Sequence, residues 1–161
     1  MKLNWRESLT PALKMAAKLA VLGIGSPLNS DDAAGLLLIE ELAQRSPHPA
    51  RLLLIAGGSA PENFTGVIGA FAPDLLLAVD AARLGLEPGQ AALLEGEELD
   101  GAGFSTHMLP FSIMLQYLRR RGLNKVLLLG IQPHSTEFGF TISAPVRRAV
   151  LEVAELIVDS G

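Results

Sequence analysis

Two adjacent carboxylates, Asp31 and Asp32, stand in the stretch GSPLNSDDAAG, between the apolar runs LAVLGIG and LLLIEELA. Aspartate is favoured at helix starts, where it accepts hydrogen bonds from free backbone N–H groups and the helix dipole stabilises an anion. The same carboxylates can serve as a general base or as metal ligands. A phosphate site is disfavoured, because Leu28 stands where a dinucleotide-binding loop needs glycine or alanine and the acidic residues would repel an anion.

Two further residues could do chemistry. Asp80 ends the apolar run LLLAVD, and His107 lies in GAGFSTHMLP, directly before a helix that Pro110 is expected to open. A carboxylate at the end of a strand either caps a turn or projects into a crevice. A lone histidine is more often a structural hydrogen-bonding residue than a ligand. Taken singly, each residue leaves both interpretations open.

The elements that must position these residues are short apolar runs alternating with helical segments. Strands are predicted at 19–24, 51–55, 75–80 and 126–131, with a weaker one at 90–94. Helices are predicted at about 32–45, 61–71, 110–121 and 145–158. Ser30 or Asp31 is expected to cap the first of these helices, and Ser59 and Glu62 are expected to form a capping box for the second. Thr10-Pro11 is expected to open an extra N-terminal helix. The alternation predicts an α/β fold, a three-layer sandwich with a mostly parallel, five-stranded twisted sheet and helices on both faces.

The predicted sheet brings three of the candidate residues to one edge. Ligands of such folds bind outside the carboxyl ends of the strands, where Asp32, Asp80 and His107 all fall. Two carboxylates and one imidazole, with positions left open, suit a borderline divalent ion such as nickel, zinc or iron. Three protein ligands with an exchangeable position are also typical of catalytic zinc sites. The chain has no cysteine, which excludes disulfides, zinc-thiolate sites and a cysteine nucleophile.

The bulk properties narrow the class of protein. A length of 161 residues suits one domain, expected at 18–161, with residues 1–17 as an N-terminal extension. A net charge of −4, with one short basic cluster at 119–121, argues against nucleic-acid binding. No apolar run reaches the roughly 18 residues of a spanning helix, and charged residues interrupt the N-terminus where a signal peptide would be apolar. A cytoplasmic protein without membrane contact is expected, and a monomer, since no heptad pattern is present.

The motifs together resemble those of the hydrogenase maturation endopeptidases, which remove a C-terminal peptide from the large subunit of [NiFe] hydrogenases. The matching stretches are GIGSPLNSDDAAG, AGGSAPEN, LLLAVDAARLGLEPGQ, STHMLPFSIMLQYL and LLGIQPHSTEFGFTIS. They span about residues 19–157 and look most similar to the branch that serves formate hydrogenlyase-type complexes. The resemblance implies metal contacts at Asp32, Asp80 and His107, and it implies the same α/β fold.

The resemblance also implies a mechanism. The precursor of the hydrogenase large subunit is the expected partner, and it supplies the nickel, so the free enzyme is expected to be metal-free. The resemblance implies a hydrolase of the aspartic type, with Asp32, Asp80 and His107 as the expected catalytic residues. Peptide hydrolysis can proceed through metal polarisation of the carbonyl or of water, or through Asp32 or Asp31 as a general base.

Two alternatives come from other classes of protein. One is a non-enzymatic nickel-sensing or chaperone-like protein that binds the same precursor. The other is a nucleotide- or flavin-binding module of similar topology, against which Leu28 and the acidic helix start both argue.

Overall fold

The computed structural model describes residues 1–45, 50–95 and 108–161. Its five strands are β1 Leu19–Ile24, β2 Leu52–Gly58, β3 Leu75–Ala81, β4 Ala91–Leu94 and β5 Lys125–Ile131. They form one sheet in the order β2-β1-β3-β5-β4, in which only β4 runs antiparallel to its neighbour. The predicted five-stranded, mostly parallel sheet is therefore confirmed.

Helices cover both faces of the sheet. They are α1 Trp5–Met15, α2 Ala34–Arg45, α3 Thr65–Phe71, α4 Met108–Arg120 and α5 Ala144–Ser160. The first, second and fifth pack in one apolar cluster against one face, and the third and fourth pack in a second cluster against the other. This arrangement confirms the three-layer α/β sandwich.

The central strand shows why the strands read as continuous apolar runs. All seven residues of β3 are buried. Leu77 and Val79 contribute to one apolar cluster, whereas Leu76 and Ala78 contribute to the other. A strand covered on both faces has no solvent side on which polar residues would alternate.

No helix in the described ranges has both the length and the apolar character needed to cross a bilayer.

The N-terminal segment, residues 1–17, contains α1. This helix begins at Trp5 and carries Pro11 in its interior, so the prediction that Thr10-Pro11 opens it is wrong. The start lies earlier because Trp5, Leu9 and Leu13 repeat every four residues and bury one face of the helix in the core. The Thr10 hydroxyl donates to the Arg6 carbonyl at 2.8 Å and supports the turn before the proline.

The start of the second predicted helix also differs. A 3₁₀ turn, Pro61–Phe64, precedes α3, and no side chain caps it. The capping box of Ser59 and Glu62 does not form, since the turn begins after Ala60, one residue later than that motif requires. The Thr65 hydroxyl instead donates to the Glu62 carbonyl at 2.6 Å, which joins the turn to the helix.

Candidate functional site

The sheet order fixes where a site can form. In the sheet, β2 lies on one side of the central pair β1 and β3, and β5 lies on the other side. The direction in which the chain adds strands to the sheet therefore reverses between β1 and β3. In doubly wound sheets, ligands bind in the crevice outside the carboxyl ends of the strands at this reversal. Asp32 lies in the connection that follows β1, and Asp80 is the penultimate residue of β3. Both predicted carboxylates are therefore at the edge where a site is expected.

Gly25 brings these two residues together. Its φ of +131° lies in a region that residues with a side chain rarely adopt. A Cβ atom at this position would be 1.8 Å from the carbonyl oxygen of Asp32 and 3.4 Å from Oδ1 of Asp80. The backbone of Asp32 and the carboxylate of Asp80 thus both lie against the same glycine, directly beyond β1.

Two more glycines hold the start of α2 against the sheet. A Cβ on Gly23 would be 2.3 Å from the Gly35 carbonyl oxygen, and a Cβ on Gly35 would be 2.4 Å from the Val79 carbonyl oxygen. Side chains at either position would push the helix away from β1 and β3. Because Asp32 lies in the 3₁₀ turn Ser30–Ala33 that leads into this helix, the close packing also positions the backbone of Asp32.

The Asp32 carboxylate is oriented by its own loop. Its Oδ2 accepts a hydrogen bond of 2.8 Å from the Ser26 backbone N–H. The residue is 8% exposed, whereas Asp80 is 0% exposed. Asp32 therefore keeps a small exposed area at this edge of the sheet, whereas Asp80 is fully buried.

The neighbouring carboxylate, Asp31, has a different environment. It is 1% exposed and accepts hydrogen bonds from the His134 N–H at 2.8 Å, the Ser143 N–H at 2.7 Å and the Ser143 hydroxyl at 2.8 Å. The Ser135 N–H adds a longer contact at 3.4 Å. Both oxygens of the Asp31 carboxylate therefore accept hydrogen bonds from residues 134–143.

These hydrogen bonds contradict the helix-capping interpretation. Asp31 binds residues more than 100 positions away, and Asp32 binds back to Ser26. The residue before the 3₁₀ turn Ser30–Ala33, Asn29, makes no side-chain cap either. The two aspartates organise the loops around the strand ends, and they do not start α2.

The residues that donate hydrogen bonds to Asp31 lie in the segment 134–143, which we call the strap. Besides the Asp31 contacts, the strap pairs with the β1–α2 connection through its backbone. The Ser30 N–H donates to the Gly139 carbonyl at 2.8 Å, and the Gly139 N–H donates to the Leu28 carbonyl at 2.8 Å. Sequence reasoning missed this contact, although the strap lies within the stretch LLGIQPHSTEFGFTIS that carries the family resemblance.

The third predicted ligand, His107, lies outside the described residues. Within the described ranges no three His, Cys, Asp or Glu side chains are grouped so that they could hold a metal ion. His134, which follows β5, is exposed, and its backbone N–H donates to Asp31. Asp32 and Asp80 are thus the two predicted site residues that the structure brings together.

The fold and the site define an α/β protein with acidic residues at the point where the strand order reverses. Residues 36–160 match the family of hydrogenase maturation proteases described as HycI. The chain therefore belongs to the hydrogenase maturation proteases, and peptide-bond hydrolysis is its class of activity.

Individual relatives agree with this assignment. A putative hydrogenase maturation protease of Methanocaldococcus jannaschii is 32% identical over 139 residues, covering 83% of this chain and 82% of the relative. The hydrogenase 3 maturation protease of Escherichia coli K12 is 33% identical over 131 residues, covering 81% and 82%. The crystal structure of a [NiFe] hydrogenase maturation protease HycI from Thermococcus kodakarensis superposes with a TM-score of 0.86 at 31% identity, covering 95% of this chain and 97% of that one.

Proposed function

We propose that the protein removes a C-terminal peptide from the nickel-loaded precursor of a [NiFe] hydrogenase large subunit, and that Asp32, Asp80 and His107 contact the nickel. The observation that carries the site is the placement of the Asp32 backbone and the Asp80 carboxyl group against Gly25, at the reversal of strand order, in a chain of this family. The relative named for hydrogenase 3 supports a substrate of the formate hydrogenlyase type.

The types of ligand in this site explain how it can contact nickel without removing the ion from the precursor. Nickel in the precursor would be held by cysteine thiolates, which are softer donors than carboxylates and imidazole. This chain has no cysteine with which to compete for the ion. Oxygen and imidazole donors can therefore complete the coordination of a substrate-borne ion and release it after cleavage.

Asp32 is the carboxylate that acts on the scissile bond. The Asp31 carboxylate accepts hydrogen bonds from the strap at both oxygens, whereas Asp32 accepts the Ser26 N–H at Oδ2 and is 8% exposed. Once nickel positions the peptide, Asp32 can orient or deprotonate the attacking water, and the ion polarises the group that it contacts. Asp80 supplies a second carboxyl group at the same edge of the sheet, and oxygen ligands of this kind can bind a divalent cation.

The test is the intact mass of a precursor large subunit from the same organism, with and without nickel, after incubation with the protein. Loss of a C-terminal peptide only from the nickel-loaded sample is the expected result. Loss from both samples would refute the role of nickel. Binding without any loss of mass would refute the peptidase assignment and favour a nickel-sensing binding protein.

A further inference from the structure

Two exposed phenylalanines stand on the strap beside the site. Phe138 is 76% exposed and Phe140 is 74% exposed, although both are large apolar side chains. Their ring centroids are 5.9 Å apart with an interplanar angle of 65°, an edge-to-face contact. The pair therefore forms a small, ordered apolar surface that faces outward.

The strap carries this pair to the catalytic edge. Gly139, between the two rings, is hydrogen-bonded through its backbone to Leu28 and Ser30. Leu28 is itself 47% exposed and is four residues before Asp32. Consecutive Cα atoms are 3.8 Å apart, so Leu28 lies within about 15 Å of the candidate catalytic residue. Leu28, Phe138 and Phe140, here called the aromatic patch, lie on the loop that carries Asp32 and on the strap that is hydrogen-bonded to this loop.

Several contacts fix the orientation of the aromatic patch. The Asp31 carboxylate holds both ends of the strap through His134 and Ser143, and the Ser30 hydroxyl donates to the Glu137 carbonyl at 2.7 Å. Rigid aromatic residues contribute strongly to protein interfaces because they bury a large area and lose little conformational freedom. Glu137 is exposed directly before Phe138 and adds a negative charge at the border of the patch.

We propose that the aromatic patch is the docking surface for the hydrogenase precursor, and that it receives an apolar segment flanked by a Lys or Arg side chain, next to the bond that is cleaved. This inference rests on the proposed function. An apolar segment would cover the two rings, while the basic side chain would meet Glu137. Docking at the patch would then present the nickel and the scissile bond to Asp32 and Asp80.

The experiment compares kcat and KM for cleavage of nickel-loaded precursor by the wild type and by the double variant Phe138→Ser/Phe140→Ser. The expected result is a KM raised by about tenfold or more with kcat within about twofold, because the patch binds substrate and performs no chemistry. An unchanged KM, or a fall in kcat alone, would overturn the proposal. A wild type that cleaves no precursor would refute the proposed function itself, so the two failures are distinguishable.

Met15→Ser is the matched control. Met15 is 86% exposed but lies at the end of α1, four residues before β1, and therefore at the opposite edge of the sheet. It should keep the wild-type KM, and an equal rise in both variants would overturn the proposal.

Glu137→Lys should raise KM at low salt and less at high salt, and an unaltered KM at low salt would refute the charge contact. A wild-type dimer that the double variant converts to a monomer would assign the patch to a second copy of the chain and overturn the proposal.

Discussion

Ser143 donates two hydrogen bonds to Asp31, one from its backbone N–H to Oδ1 at 2.7 Å and one from its hydroxyl to Oδ2 at 2.8 Å. The residues are 112 positions apart in the chain, and the contact joins the loop after β1 to the start of α5. It closes one end of the strap, while His134 closes the other. The loop that carries Asp32 and the strap that carries the aromatic patch therefore share one buried carboxylate.

Substitutions in this pair should separate the two hydrogen bonds. Ser143→Ala removes the hydroxyl donor but keeps the backbone donor, so we expect a loss of about 1–2 kcal/mol in the free energy of unfolding. Asp31→Ala removes the common acceptor of several part-buried donors and should cost about 3 kcal/mol. Urea denaturation measures both values. Ser143→Thr retains the hydroxyl and serves as the control, and equal losses for Asp31→Ala and Ser143→Ala would contradict the shared role of the carboxylate.

Asp32→Asn should separate chemistry from structure. The amide oxygen can still accept the Ser26 N–H, so the free energy of unfolding should change by less than about 1 kcal/mol. Loss of the charge should slow cleavage of nickel-loaded precursor by about 100-fold or more, as expected for a general base or for a contact to the ion. Cleavage rates from intact mass and a thermal melt are the two measurements.

Asp74→Asn is the control for this substitution. Asp74 Oδ2 accepts the Lys18 N–H at 2.8 Å, the same type of hydrogen bond at the opposite end of β1. The control should cleave precursor at the wild-type rate. Full activity of Asp32→Asn would exclude this carboxylate from the reaction.

Glu95 should give a small pH dependence of stability. A hydrogen bond from Lys2 at 2.9 Å, with the positive charges of Lys2 and Lys125, lowers the pKa of Glu95 against the opposing effect of desolvation. A folded-state pKa below the unfolded value stabilises the protein above the unfolded pKa, and the contribution disappears as the pH falls. For an exposed pair, it should be about 0.5 kcal/mol.

The measurement is the difference in the free energy of unfolding between wild type and Glu95→Gln across pH. The difference should be constant above the unfolded-state pKa of Glu95 and should shrink as the pH falls through its lower folded-state pKa, because protonated Glu95 and the glutamine that replaces it are both uncharged. Added salt should reduce it. A difference that grows as the pH falls would contradict the assigned direction.

The strands were predictable because their signal is local. Residues 19–24 were predicted as a strand and form β1 with the same bounds, since a strand buried on both faces must be apolar at every position. Helix starts were less predictable. Thr10-Pro11 does not mark a helix start, because burial of Trp5 extends the helix towards the N-terminus. Ser59 and Glu62 do not form a capping box, because a 3₁₀ turn begins at Pro61.

The different hydrogen-bond partners of the two adjacent aspartates were not predictable. Asp31 and Asp32 are chemically identical, and either could start a helix or act as a base. What distinguishes them is a set of donors more than 100 residues away, at His134 and Ser143, which no local pattern encodes. Their common position at the edge of the sheet with Asp80, by contrast, followed from the order of strands and helices alone.

Gly25 offers the most direct test of how the site is assembled. Gly25→Ala would place a Cβ atom 1.8 Å from the Asp32 carbonyl oxygen at a φ of +131°. The loop must then move, so we expect a loss of stability above about 3 kcal/mol and a strong fall in cleavage, because Asp32 and Asp80 would no longer share this position.

Gly122→Ala is its control, since Gly122 has a φ of +106° with no atom within 4 Å of the added Cβ. It should cost about 1–2 kcal/mol from the backbone conformation alone and leave the cleavage rate of the folded protein unchanged. Urea denaturation and cleavage of nickel-loaded precursor below the onset of unfolding give the two readouts. If Gly25→Ala matched this control in both, the close approach of Asp32 to β1 would not be needed to position the carboxylates.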